Sequence, residues 1–91
     1  MERIINIALV DDQNLFREGL VKLLGDYPDF NLKIEASNGQ QLIDELPHHA
    51  IDVVITDIEM PEMDGFEVTK FIKSTYPKIK VLALTMHDDD N

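Results

Sequence analysis

Three aspartates and one threonine follow or end short apolar runs of this sequence, and their side chains are the ones best placed to carry out chemistry: Asp11, Asp12, Asp57 and Thr85. Carboxylates that lie close together raise one another's pKa unless a cation neutralises them. Oxygen ligands without a nearby histidine or cysteine suit magnesium, calcium or manganese rather than zinc or copper. The aspartates therefore indicate a site for a hard divalent cation, provided that the fold brings them together.

The same residues also suit phosphoryl transfer. Magnesium keeps several waters when it binds a protein and readily accepts phosphate oxygens. An aspartate can itself be the nucleophile and carry an acyl phosphate, while the hydroxyl of Thr85 can donate a hydrogen bond to the phosphoryl group. Each residue alone is weak evidence, because aspartates often end strands or cap helices. The prediction depends on their coincidence at several strand ends.

The elements that must position these residues alternate along the chain. Strands are predicted at residues 4–10, 32–36, 53–56 and 80–85, and helices from residue 14, at 40–46 and at about 66–76. This βαβαβαβ order predicts an α/β protein with a parallel sheet and helices on both of its faces. Ligands of such sheets bind beyond the carboxyl ends of the strands, where the aspartates and Thr85 are predicted to lie.

Two local patterns make more detailed predictions. The first helix has an apolar stripe at helical spacing, formed by Phe16, Leu20, Leu23 and Leu24. Asp12 or Asn14 is placed to cap its start. The segment Leu32–Ala36 alternates apolar and polar residues, which predicts a strand with one wet face at an edge of the sheet.

Composition limits the possible functions. The chain has 91 residues, a formal net charge of −10 and no cysteine. It therefore has neither a disulfide framework nor a cysteine nucleophile, and its acidity disfavours a surface for nucleic acid or anionic lipid. It contains no apolar run of membrane-spanning length, and its first residues are not a secretory signal. We expect one small intracellular domain.

Three stretches carry a family resemblance: Ala8–Gln13, Val54–Gly65 and Val81–Thr85. The second contains Asp-x-x-Met-Pro-x-Met-Asp-Gly, and with the other two it resembles the receiver domain of bacterial two-component response regulators. This resemblance implies a flavodoxin-like (CheY-like) doubly wound sheet with strand order 2-1-3-4 and a cytoplasmic location. Asn14–Leu20 and Thr85–Asp89 further resemble the subgroup whose output is a LuxR-type helix-turn-helix.

The resemblance also implies a role for each matching residue. Asp57 is the expected phosphoacceptor, with the phosphohistidine of a histidine kinase as donor, and Thr85 is the expected switch hydroxyl. Magnesium is expected on Asp12, on Asp11 directly or through a water, on Asp57, and on the backbone carbonyl of Glu59. Two further residues are expected to shape the loop, Pro61 by fixing φ and Gly65 by tolerating an unusual conformation.

The chain departs from the family pattern after its fourth strand. A receiver normally continues with a helix, a fifth strand ending in a lysine that pairs with the phosphoryl group, and a last helix, whereas this sequence ends at Asn91. We therefore expect about three quarters of a receiver, with DNA binding left to a domain outside the chain. The exposed edge of the fourth strand or the bare sheet face is expected to support a homodimer.

Two alternatives remain open from the sequence. One is a truncated receiver that no longer switches and acts only as an interaction or dimerisation module. The other is an aspartyl-phosphate hydrolase, which would need a second aspartate two residues after its nucleophile. Glu59 occupies that position, so we do not expect an enzyme.

Overall fold

The computed structural model describes residues 3–84, which contain four strands and three α-helices. In chain order the elements are β1 (Ile5–Val10), α1 (Asn14–Gly25), β2 (Phe30–Ala36), α2 (Gly39–Glu45), a short 3-10 turn (Leu46–His48), β3 (Val53–Asp57), α3 (Gly65–Thr75) and β4 (Lys80–Leu84). No helix of this part of the chain combines the length and apolarity needed to cross a membrane.

All strand pairs are parallel, and the strand order is β2-β1-β3-β4, as predicted. β1 and β3 are the central strands, and each is covered on both faces. Their apolar runs are nearly continuous for this reason, since neither face meets water. The central position of these two strands brings their carboxyl ends side by side.

Two apolar layers cover the sheet. On one face, α2 and α3 bury Leu42, Val68 and Ile72 against a cluster that contains Ala8 and Val54. On the other face, α1 packs on the smaller cluster of Ile7, Leu9 and Ile55. The helices therefore lie on both faces, as the βαβ alternation predicted, but the α2–α3 layer is the larger and more deeply buried one.

The edge strand β2 does not follow the simple alternation predicted from its sequence. Ile7 pairs with Leu32, whereas the next residue, Ala8, pairs with Ile34, so Lys33 is an extra residue in the ladder. An extra residue of this kind reverses which side chains face which layer. Leu32 therefore packs with the α1 layer, and Ile34 packs with the α2–α3 layer. The predicted position of β2 at an edge of the sheet is confirmed. The prediction that its apolar residues share one face was wrong, because they divide between the two layers.

Helix α1 packs through a stripe rotated from the predicted one. Leu20, Val21 and Leu24 contact the sheet cluster, while Leu23 is 52% exposed. The prediction of Leu23 as an inward residue was wrong, because the inward stripe runs through Leu20, Val21 and Leu24 and continues to the largely buried side chain of Arg17. The predicted caps were also wrong, since the N-cap is Gln13 and it makes no side-chain capping bond.

Helix α3 begins with a complete capping box. Asp64 accepts a hydrogen bond from the backbone N–H of Glu67 at 3.0 Å, and the Glu67 carboxylate accepts one from the N–H of Asp64 at 3.1 Å. These bonds satisfy N–H groups that the first turn of a helix leaves without partners. They fix where the loop after β3 ends and α3 starts.

Replacing Asp64 by alanine is therefore expected to lower the free energy of unfolding by about 1 kcal/mol. The variant Asp64→Asn keeps an acceptor oxygen at the cap and should lose much less. Urea unfolding followed by circular dichroism measures both. Equal losses for the two variants would contradict the capping role.

Strand β4 has β3 as its only neighbour within residues 3–84. Its side chains are poorly covered, and Leu82 on the α1 face is 52% exposed. A strand edge of this kind presents backbone groups that can pair with another strand. The described part of the chain thus has the exposed β4 edge that the sequence predicted.

Candidate metal centre

The carboxyl ends of β1 and β3 bring the three predicted aspartates together. Val10 pairs with Thr56 in the sheet, so Asp11 and Asp57 emerge from neighbouring strands at the same edge. One carboxylate oxygen of Asp11, one of Asp12 and one of Asp57 all lie within 4.8 Å of one another. The sequence prediction that these residues converge is therefore confirmed by the geometry.

Asp11 is the most enclosed of the three, with 1% of its surface exposed. The Gln13 N–H donates to its Oδ1 at 2.8 Å, and its own N–H donates to the carbonyl of Ala36 at 3.1 Å. Burial raises the pKa of Asp11, the bond from Gln13 lowers it, and the neighbouring charges of Asp57 and Asp12 raise it again. The net result is a pKa above the usual value.

Asp57 is 5% exposed and is the last residue of β3. The backbone N–H of Glu59 donates to its Oδ1 at a rather long 3.3 Å. Burial raises the pKa of Asp57, the bond from Glu59 lowers it, and the charge of Asp12 raises it. The net shift is again upward, because this carboxylate receives less stabilisation in the fold than in water.

Asp12 differs from the other two because its side chain is exposed. The cluster thus has two buried carboxylates and one that faces solvent, so a small ligand can reach it from the Asp12 side. Three carboxylates at this separation repel one another, and a hard divalent cation is the group that their donor chemistry fits. The described residues therefore suit Mg²⁺, with the carboxylates as its ligands.

The loop after β3 is held close to the site. Met63 N–H donates to the Pro61 carbonyl at 2.7 Å, and Gly65 N–H donates to the Ile58 carbonyl at 2.8 Å. Glu62 has a φ of 70°, a conformation that a non-glycine residue adopts at some cost. Of the loop side chains, Met60 is buried in the α2–α3 layer and Met63 packs partly against it.

The expectation that Gly65 adopts an unusual backbone conformation was wrong, because the positive φ is at Glu62 instead. Gly65 is needed for a different reason. A Cβ atom there would lie 2.5 Å from the carbonyl oxygen of Asp57 and 2.7 Å from the Cα of Ile58. The absence of a side chain lets α3 start directly against the backbone of the phosphoacceptor candidate.

Arg17 is the residue beside the site that sequence reasoning missed. It emerges from the first turn of α1, and its Nη1 donates to the carbonyl oxygen of Asp11 at 2.6 Å. The sequence carries a signal for it, because Arg17 lies within the Asn14–Leu20 stretch that resembles the LuxR-type subgroup. The helical pattern alone predicts no role for it, since a single arginine on a helix usually lies on the wet face.

The remaining predicted site residues have different outcomes. Thr85 lies outside the described residues, so its predicted position as the switch hydroxyl stays a prediction. Glu59 is exposed beside Asp57, and the role of its carbonyl as a ligand also stays a prediction. Within the described part, the hydroxyl nearest to Asp57 in sequence is that of Thr56, which donates to the Asp57 backbone carbonyl at 3.0 Å.

Comparisons with known proteins bear on this arrangement. Residues 7–91 match the family described as the response regulator receiver domain. Over 90 residues the chain is 36% identical to the transcriptional regulatory protein DegU of Brevibacillus brevis. This alignment covers 99% of this chain and 38% of DegU. The chain thus spans well under half the length of this curated relative.

Solved structures show the same likeness. The response regulator RcsB in complex with DNA superposes with a TM-score of 0.88 at 30% identity, over 96% of this chain and 46% of RcsB. The isolated receiver domain of RcsB from Salmonella enterica serovar Typhimurium, in the presence of the phosphomimetic BeF3−, superposes with a TM-score of 0.87 at 30% identity, over 96% of this chain and 65% of that one.

Proposed function

The chain belongs to the family of response regulator receiver domains of two-component systems, and from this premise we propose that Asp57 accepts a phosphoryl group from the phosphohistidine of a histidine kinase. One observation carries the proposal. Asp57 ends a central strand beside Asp11 and Asp12, with ligand atoms of all three within 4.8 Å. This is the arrangement that acyl-phosphate formation on an aspartate needs, because the nucleophile and the groups that neutralise charge are held together.

In the proposed step, a carboxylate oxygen of Asp57 attacks the phosphorus atom of the donor. A bond forms between that oxygen and phosphorus, the phosphorus–nitrogen bond breaks, and the departing imidazole takes up a proton from solvent. Burial and the charge of Asp12 raise the pKa of Asp57 in the metal-free protein, and a bound Mg²⁺ would offset this shift and keep the attacking carboxylate ionised. The hydrogen bond from the Glu59 N–H holds the other side-chain oxygen in place.

Mg²⁺ is the cofactor that this family generally uses and that the acidic cluster fits. We propose that Asp11, Asp12, Asp57 and the Glu59 carbonyl hold it, with Asp11 bound directly or through a water. When bound, the ion neutralises the carboxylates and draws negative charge from the phosphoryl oxygens. The buried position of Asp11 and its bond from Gln13 fix its orientation before the ion arrives.

The proposed output is transcription control. The relative DegU is a transcriptional regulator by name, and RcsB is solved in complex with DNA, in keeping with the predicted LuxR-type subgroup. With a net charge of −10, this chain is poorly suited to bind DNA itself. DNA contact would belong to a domain outside these residues, in a cytoplasmic regulator that is not an enzyme.

We propose that Pro61 and Gly65 shape the loop after β3 and that Thr85 is the switch hydroxyl.

A second candidate function is interaction without switching. The half-exposed Leu82 and the edge of β4 that no other strand within residues 3–84 covers favour it, because such surfaces can pair with a second copy. Light scattering coupled to size-exclusion chromatography at high concentration tests the homodimer. A monomer at all concentrations would rule out self-association through the β4 edge or the sheet face.

Phosphoryl acceptance is tested with Mg²⁺ and a small phosphodonor such as acetyl phosphate. Mass spectrometry should show the gain of one phosphoryl group in the wild type and none in Asp57→Asn. The variant Asp29→Asn is a matched control, since it removes one negative charge at an exposed loop position. Beryllofluoride binding should show the same dependence on Asp57. No phosphorylation of the wild type would favour the interaction module, and repeated turnover of an external phosphoester would favour a hydrolase.

A further inference from the structure

The guanidinium of Arg17 connects three separate parts of the chain. Its Nη1 donates to the Asp11 carbonyl at 2.6 Å, its Nη2 to Asn14 Oδ1 at 2.8 Å and its Nε to Glu35 Oε2 at 3.1 Å. The side chain is largely buried, with 15% of it exposed. All three nitrogen atoms are thus engaged, which only the planar fork of arginine allows.

These contacts fasten the segment between β1 and α1, which carries two of the three clustered carboxylates. The Asp11 carbonyl is held by Arg17, and the Asp11 side chain by the Gln13 N–H. Gln13, as the N-cap of α1, contributes no side-chain cap. Glu35 on β2 anchors the guanidinium from outside, so the segment is tied to the edge strand as well as to the helix.

We infer that Arg17 is a positioning residue for cation binding, which holds Asp11 and Asp12 in the orientation that faces Asp57. The inference rests on the proposed function, since it assigns a role toward the Mg²⁺ of that site. Arg17 makes no described hydrogen bond to the side-chain oxygens of the three clustered aspartates. It acts instead through the backbone carbonyl of Asp11. Outer contacts that orient metal ligands commonly change metal affinity by about 10- to 100-fold when removed.

Positioning and plain electrostatics predict opposite results here. Removing Arg17 takes a positive charge away from an acidic cluster, so Coulomb interaction alone predicts tighter binding of a divalent cation. If Arg17 positions the ligands, its removal loosens the β1–α1 segment, and binding becomes weaker. The sign of the change in Mg²⁺ affinity therefore separates the two roles.

The experiment is an Mg²⁺ titration of Arg17→Met, Arg17→Lys and wild type, followed by backbone amide shifts in NMR spectra. We expect the Kd for Mg²⁺ to rise about tenfold in Arg17→Met and to rise similarly in Arg17→Lys, because an ammonium cannot reproduce the three-way contact. Lys22→Met is the control, because it removes a positive charge near the other end of α1, and its Kd should stay at or slightly below the wild-type value.

Amide exchange in metal-free protein gives an independent readout. The Gln13 N–H should exchange faster in Arg17→Met, while the β3 amides remain protected. If Arg17→Met does not fold, Asn14→Ala removes one acceptor of the guanidinium without changing the charge near the cluster, and it should still raise the Kd, by a smaller factor. An unchanged or lower Kd in these variants would overturn the inference. If wild type itself binds no Mg²⁺, the proposed cofactor is wrong and the inference falls with it.

Discussion

Replacing Asp57 by asparagine is expected to raise the free energy of unfolding of the metal-free protein by about 1–2 kcal/mol at neutral pH. The substitution removes one of three carboxylates that lie within 4.8 Å of one another, and the one removed is nearly buried. The same change abolishes phosphoryl acceptance in the proposed function. If Asp57 carries the chemistry of the proposed function, it does so at the expense of the stability of the metal-free fold.

The effect should depend on pH in a defined direction. Because the pKa of Asp57 is raised above its usual 3.8 in the fold, the folded state binds this proton more tightly than the unfolded state. Stability from this group is therefore lost as pH rises from 3.8 through the raised pKa. The advantage of Asp57→Asn should be largest above the raised pKa and shrink as pH is lowered toward 3.8.

Urea unfolding in the presence of EDTA measures this, with Asp29→Asn as the control for loss of a charge outside the cluster. Mg²⁺ at ten times its Kd should then stabilise wild type by about 1.4 kcal/mol and Asp57→Asn by less. If Asp57→Asn is less stable than wild type in EDTA, repulsion among the three carboxylates does not destabilise the metal-free fold.

Gly65→Ala is expected to lower the free energy of unfolding by about 2–3 kcal/mol. The new Cβ would lie 2.5 Å from the Asp57 carbonyl oxygen and 2.7 Å from the Ile58 Cα. Both atoms belong to the backbone, so no side chain can turn away to make room. Either α3 or the end of β3 must shift, and a shift of β3 also displaces Asp57, so phosphoryl acceptance should slow as well.

Gly19→Ala provides the matched control. A Cβ at this exposed position within α1 meets nothing within 4 Å, and alanine favours a helix over glycine by about 0.5–1 kcal/mol. Thermal and urea unfolding of both variants should therefore give changes of opposite sign. A Gly65→Ala protein as stable as wild type would show that the start of α3 adapts without cost.

The parts of the fold that the sequence predicted well are those set by local pattern. The apolar runs of β1 and β3 end in aspartate, and parallel pairing then places Asp11 and Asp57 at one edge without further information. The features missed depend on contacts between distant segments. Arg17 lies inward because Glu35 and the Asp11 carbonyl accept hydrogen bonds from its guanidinium. The apolar pattern of the helix does not predict these contacts. Gly65 is required by the backbone of Asp57, which a search for positive φ does not detect.

Because β2 contains an extra residue, the number of residues in each half of the strand decides which layer its side chains join. Phe30 and Leu32 belong to the α1 layer, while Ile34 and Ala36 belong to the other. Deleting Lys33, which is exposed, would leave Leu32 opposite Ile7 and Ile34 opposite Ala8, so regular alternation would keep both halves of the strand on their present layers. Deleting a paired residue such as Asn31 would instead force part of the strand to exchange layers, although Asn31 is exposed, as Lys33 is.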